Sequence, residues 1–367
     1  MQEDMHYYGT YAMARAAGLE VQAAKTVATA AQYVDDAKLE DDDEHDDGGM
    51  FQVMATSHTD LESIVDAKIH HLKQRSVWVP FHFFPGNVGE TLSEKLACTK
   101  NGNLAQEMVA NHIRHAILVK DEFGLALIGI MSHVYADTFS HYGFSGVSSR
   151  NNAIDGKSFK FDVKDQSVLN YINTKYDKFI QKYTPSFLIK NWRKFVSEGA
   201  EEAVGALGHG GVGTYPDRPF LNWRFNYELN HRDSGWRNNS TDYLEGCEKL
   251  HAAIGAYAQG AGIAKRAVGF DTIKDKVKKI LELESAMEGR IDAWKNAIMN
   301  NELFASEPNE ALNYSSENLQ QQKNQFKNLP NSSEIANTEI YRFYQAAIYH
   351  RDYTLKQLLP RHGIIVV

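Results

Sequence analysis

The chain has 367 residues, of which 43% are hydrophobic and 23% charged, and a formal net charge of −8. That length can bury a large core, and the acidic balance argues against a protein that grips nucleic acid by its backbone. The two cysteines, Cys98 and Cys247, form no CxxC and give no sign of a disulfide framework or a thiolate zinc site, so any metal question turns to the fifteen histidines and the carboxylates.

The N-terminus, MQEDMHYYGTYAMARAAGL, lacks the basic and apolar regions of a signal peptide, and no apolar run approaches the roughly 20 residues that cross a bilayer. The expectation is a chain with no transmembrane segment, cytoplasmic as synthesised, with export by a signal-less route left open. Met5 to Ala17 predicts a helix that stops at Gly18, with His6 in its first turn. Glu20 to about Ala37 predicts a second, with Val21, Ala24, Val27, Ala28, Ala31 and Val34 as its apolar stripe. It ends in Asp35 and Asp36, where the helix dipole is negative and carboxylates call for a compensating cation.

The acidic run EDDDEHDDGG, 40 to 49, reads as a solvated, mobile loop without EF-hand spacing. His58 stands just ahead of a helix begun by Thr59 or Asp60. VWVPFHFFPG reads as extended, and helical periodicity returns at 103 to 118.

The central stretch, FGLALIGIMSHVYADTFSHYGFSG at 123 to 146, reads as a helix that is apolar nearly all round. His133, Asp137 and His141 stand in it four residues apart. Each such step advances a helix about 400°, so the three side chains share one face. Ionisable groups in so apolar a setting need partners, and zinc takes both histidine and aspartate.

Beyond Gly143, SFKFDV predicts one short strand, and helices are expected near 165 to 182 and 186 to 205. LGHGGVGTYPDRPFLNWRF is expected to be irregular, leaving His209 and Asp217 on a loop. Helices follow at about 240 to 266, 271 to 303 and 334 to 358, with 305 to 332 a polar linker or exposed helix. The expected organisation is a helical metal-binding catalytic domain over 1 to 304 and a C-terminal segment, 305 to 367, packed on it.

MHYYGTYAMARAAGL, TVATAAQYVDDA and GHGGVGTYPDRP resemble an uncharacterised bacterial family of all-helical proteins with a domain-of-unknown-function label, over most of the chain. More distantly, SHVYADTFSH resembles the HxxxDxxxH segment of the zinc-dependent phospholipase C superfamily, to which single-strand nucleases are related. That resemblance implies an all-α multi-helix bundle of phospholipase C type with long loops, holding two to three zinc ions. It implies a metal set of His6, Asp35, His58, His133, Asp137, His141, His209 and Asp217, with Asp35 as general base and Asp36 its alternate. Those enzymes also use a free amino terminus, for which Asp4 or a water is the stand-in here. Four residues after His209 stands Gly213 rather than an acid, so Asp217 is the substitute. His45, His70, His71, His82, His112 and His115 stay as alternative ligands.

The function so implied is a metal-dependent phosphodiester hydrolase, phospholipase C-like, in which a zinc-bound hydroxide attacks phosphorus. Its partner would be a phospholipid or another phosphodiester. A zinc-dependent nuclease is the second reading, and a non-catalytic helical protein with a structural metal site the third.

Overall fold

The structure, a computed structural model, describes residues 1–38, 41–45, 47–57, 74–183, 208–307, 310, 313–326 and 332–366. Its centre is the helix Leu125–Thr138, whose residues from Ala126 to Thr138 are all buried. A helix with no polar face can lie only among other elements. Here these are the helices Val21–Asp36, Asn103–Leu118, Asn239–Gly260 and Glu339–Tyr353.

In chain order the longer helices are α1 (Thr10–Ala16), α2 (Val21–Asp36), α3 (Asn103–Leu118), α4 (Leu125–Thr138), α5 (Gln166–Tyr183), α6 (Asn239–Gly260), α7 (Phe270–Leu281), α8 (Met287–Met299), α9 (Ser316–Phe326) and α10 (Glu339–Tyr353). A wider helical turn, Asp4–Gly9, precedes α1 and carries His6. Gly18 turns the chain from α1 into α2 at φ +101°, a conformation that favours glycine. Helix α2 lies so close to α4 at Gly129 that a Cβ there would stand 2.4 Å from the Val27 carbonyl oxygen. This close approach brings the end of α2, with Asp35, beside the second half of α4.

The fold is mostly helical but not all-α. A three-stranded antiparallel sheet, β3 (Ile154–Phe161), β4 (Asn222–Tyr227) and β5 (Arg237–Asn238), runs in the order β3-β4-β5. A hairpin of β1 (Asp41–Glu44) and β2 (Met50–Val53) pairs Asp41 with Val53 and Glu44 with Met50. SFKFDV is therefore largely strand, as expected, whereas two other expectations fail. NWRFNY is a strand because Trp223, Phe225 and Tyr227 alternate inward, and period two overrides the glycines and prolines before it. Much of the acidic run, expected to be a loop, pairs with β2.

Further corrections concern helices. VWVPFHFFPG is not extended: Gln74–Trp78 and Val79–Phe81 are helical turns, and Pro80 sits in the first turn of the second, where its missing N–H costs nothing. The expected helix at 271 to 303 is two, α7 and α8. Helix α4 ends at Thr138, so His141 stands three residues past it. The helix expected after His58 and that at 186 to 205 lie outside the described residues, as do His58, His70 and His71.

The C-terminal segment is tied to the first two helices. Glu310 accepts a hydrogen bond from Tyr11 and pairs with Arg15, Tyr314 donates to Asp36 at 2.6 Å, and Phe343 of α10 packs edge-on against Tyr33. No helix among the described residues is long and apolar enough to cross a membrane.

Candidate metal centre

Three His/Asp groups that could hold a metal ion share one region: His6, His133 and Asp137; Asp35, His82 and His133; and His141, His209 and Asp217. Each expected site residue within the described part of the chain is there, and His82 joins them. They come from five places in the chain: the turn before α1, the end of α2, the helical turn at Val79–Phe81, α4 with the turn after it, and the loop before β4.

The imidazoles are held in one pattern. His133 Nδ1 lies 2.8 Å from the Ala31 carbonyl oxygen, His82 Nε2 2.8 Å from that of Thr56, His141 Nδ1 2.8 Å from that of His82, and His209 Nδ1 2.7 Å from that of Gly213. A carbonyl oxygen only accepts, so in each ring that nitrogen carries the donating N–H. The opposite nitrogen of the neutral ring then presents a lone pair. His133 Nε2 lies 3.3 Å from both His82 Nδ1 and Asp137 Oδ2, and His141 Nε2 lies 3.1 Å from Asp217 Oδ1. Imidazoles fixed by a backbone acceptor on one nitrogen, with the other free, are the usual arrangement of metal-ligating histidines.

Asp137 is the hub. Its Oδ1 is 3.3 Å from His6 Nε2, and its Oδ2 is 3.5 Å from His141 Nδ1 and 3.6 Å from His82 Nδ1. Asp35 spans His82 and His6 at 3.8 and 3.9 Å. Asp36 turns away to Tyr314, which separates the two alternates. Asp4 is also outside the cluster, in a buried ion pair with Arg290 at 2.6 Å. The amino group of Met1 lies inside, 2.7 Å from Asp137 Oδ1 and 3.3 Å from Asp217 Oδ1.

Burial opposes the charge on that amine, but Asp137, Asp217 and Asp35 outweigh it and push the pKa up to about 11. Burial likewise works against the Asp137 and Asp217 carboxylates, yet the surrounding histidines and the amine hold both well below the usual range. Asp35 is raised by burial. Burial, reinforced by His133, drives His6 well below an ordinary histidine, and burial takes His209 down to about 4. His82 moves the other way: Asp137 and Asp35 raise it against burial.

The donor set suits a divalent cation. Both ring nitrogens of His6 and Oδ2 of Asp137 are buried without a hydrogen-bond partner, a costly state that an ion would relieve. Nitrogen and oxygen donors at this density match zinc and its neighbours. His133 has a single lone pair in the site and can serve one ion at a time. The donors therefore divide into Asp35/His82/His133, His141/His209/Asp217, and His6 with Asp137.

One family profile matches residues 1–358. The chain belongs to the family of unknown function DUF6765. That span contains every donor of the centre, so in this DUF6765 chain the site lies inside the family's own domain. No curated protein and no solved structure matches the chain, and no named homologue carries the phospholipase C likeness or its fold type.

Of the alternatives, His112 bonds His350 at 2.9 Å and His115 stacks on Tyr349, both apart from the centre. His82, only an alternative ligand on sequence, belongs to the centre; it stands one residue past a helical turn that has Pro80 in its first turn, in a stretch whose aromatic and proline content suggests extended chain.

Proposed function

We propose that the chain is a metal-dependent phosphodiester hydrolase, phospholipase C-like in its chemistry, with zinc held by His6, Asp35, His82, His133, Asp137, His141, His209 and Asp217. The observation that carries the reading is the set of four histidines whose N–H groups are spent on backbone carbonyls while their free nitrogens meet carboxylates and one another. Acceptors facing acceptors call for cations. Each of the two full donor groups has three protein ligands, the number found at zinc sites that keep a position open for water or substrate.

Bound ions there would supply Lewis acidity and a lowered water pKa. Three divalent ions against three carboxylates would leave the centre positive, which favours a substrate whose charge is spread over several non-bridging oxygens, such as a phosphodiester. Asp35 is the donor at the mouth: its side chain is 29% exposed, while those of His6, His133 and Asp137 are 0 to 1% exposed. It is the carboxylate placed to orient a water and take its proton. His133 and His82, with their rings locked by Ala31 and Thr56, keep the floor rigid beneath it.

The test is hydrolysis of phosphatidylcholine and of single-stranded DNA by the zinc-loaded chain, beside Asp35→Asn. Release of phosphocholine, lost in a folded Asp35→Asn, supports the reading. Cleavage of DNA alone would make the protein a nuclease, and no cleavage of either by a chain that holds zinc would leave a structural metal site.

A further inference from the structure

His141 lies past the end of α4, tied to it by a single backbone bond to the Asp137 carbonyl at 2.8 Å, and Asp217 lies in an irregular loop, so neither ligand sits inside a regular helix or sheet. Two side chains at the junction of β5 and α6 reach both places. The Arg237 guanidinium donates from Nη1 to the Tyr142 carbonyl at 2.9 Å and from Nη2 to the Ser140 carbonyl at 2.8 Å, one on each side of His141. Arg237 is 3% exposed, and its fork lies 3.7 Å from the centroid of the Tyr142 ring. Two residues on, Asn239 Nδ2 lies 2.8 Å from the carbonyl oxygens of both Tyr215 and Arg218, which bracket Asp217, and 3.3 Å from that of Pro216. The Asn239 amide is kept in this orientation by Trp223, whose Nε1–H donates to its Oδ1 at 3.1 Å. Trp223 is also the residue that pairs with Arg237 across β4 and β5.

We propose that Arg237 and Asn239 are positioning residues for the His141/His209/Asp217 donor group, and that the small sheet serves to hold that half of the metal centre. The inference rests on the metal reading above. A planar fork can bond two carbonyls at fixed spacing, which an ammonium cannot. By fixing both flanks of His141 it sets the direction of Nε2, and Asn239 does the same for Asp217. The hydrogen bonds of Arg237 and Asn239 go to the backbone around His141 and Asp217 and not to Asp35, His82 or His133, so the effect falls mainly on one part of the centre.

The experiment is a chelator-competition titration of the whole chain with zinc, comparing wild type with Arg237→Lys, Arg237→Gln and Asn239→Asp. Folding is followed by circular dichroism. One class of sites is expected to weaken about 10- to 100-fold, as when a metal ligand loses its supporting hydrogen bond, while the remaining sites keep their affinity. Arg237→Lys keeps the charge and loses the fork, so it does not rescue binding; full rescue by lysine would overturn the positioning role. Trp223→Phe removes the bond that orients Asn239, along with part of the indole packing against Phe225 and Arg237, and gives the same selective loss to a smaller degree, which covers an Arg237→Gln chain that fails to fold. Unchanged affinities, or equal loss in every class, would overturn the proposal. A wild-type chain that binds no zinc would instead overturn the metal reading on which it stands.

Discussion

His133 and Asp137, one turn apart on α4, face each other as acceptors: Nε2 and Oδ2 are 3.3 Å apart while the His133 N–H is committed to Ala31. Neither contributes a proton to the contact when the ring is neutral. A cation between such groups stabilises the folded chain by its own binding free energy, about 4 kcal/mol at a free concentration 1,000 times Kd. Stripping metal with a chelator is therefore expected to lower the melting temperature by several degrees, and zinc to restore it. Differential scanning calorimetry with and without chelator measures this directly.

Asp35 combines partial exposure with contacts to two histidines, so its replacement is expected to cost chemistry more than stability. Asp35→Asn should lower kcat/KM on a phosphodiester about 10²- to 10⁴-fold, the usual worth of a positioned acid or base. Its thermal midpoint in the presence of chelator, where no bound ion contributes, should change little. Steady-state kinetics beside a melting curve separate the two effects.

The approach of α2 to α4 at Gly129 sets the distance between Asp35 and His133. Gly129→Ala would place a methyl 2.4 Å from the Val27 carbonyl oxygen and 2.6 Å from the Ala30 side chain. The helices must part, at a cost of about 1–3 kcal/mol for overpacking. Urea unfolding should show that loss, and zinc affinity should fall with it, because the ligands ride on the same two helices.

A second histidine pair, outside the metal donors though His350 feels the charge of His133, adds its own pH dependence. His350 donates from Nε2 to the Pro80 carbonyl oxygen at 2.8 Å and bonds His112 at its Nδ1. Burial pushes His350 down to about 4 and, with His350 beside it, holds His112 well below an ordinary histidine. Between pH 6.5 and about 4 the unfolded chain thus takes up protons that the folded chain refuses. Stability is unaffected by this pair above pH 6.5 and falls as the pH drops below it, by about 1.4 kcal/mol per pH unit for each histidine. His350→Gln should remove roughly one proton's worth of slope, as read from denaturant unfolding at a series of pH values in chelator.

The sequence was most readable where a period carried the signal. The four-residue spacing of His133, Asp137 and His141 placed them together, and His141 keeps that place although the helix stops at Thr138, because its N–H still bonds the Asp137 carbonyl oxygen at 2.8 Å. Asp35 stood out as a carboxylate at the wrong end of a helix dipole. His6, His209 and Asp217 have no local pattern that marks them, and only the family resemblance pointed to them. His82 was obscured because VWVPFHFFPG reads as extended, whereas Pro80 sits in the first turn of a helical segment. The sheet that holds His141 was half hidden for a related reason: the glycines and prolines before NWRFNY masked an alternation that was present. The roles of Arg237 and Asn239 are tertiary, since they act on carbonyl groups far away in the chain, and no spacing could reveal them.

The most direct test of the central claim is the metal content, by plasma mass spectrometry, of the whole chain purified without chelator or a histidine tag, beside His133→Ala. Zinc bound at up to one ion for each of the three donor groups, and falling in the variant, is the predicted result. A chain that carries no metal in either form, even after zinc is added back, would contradict it.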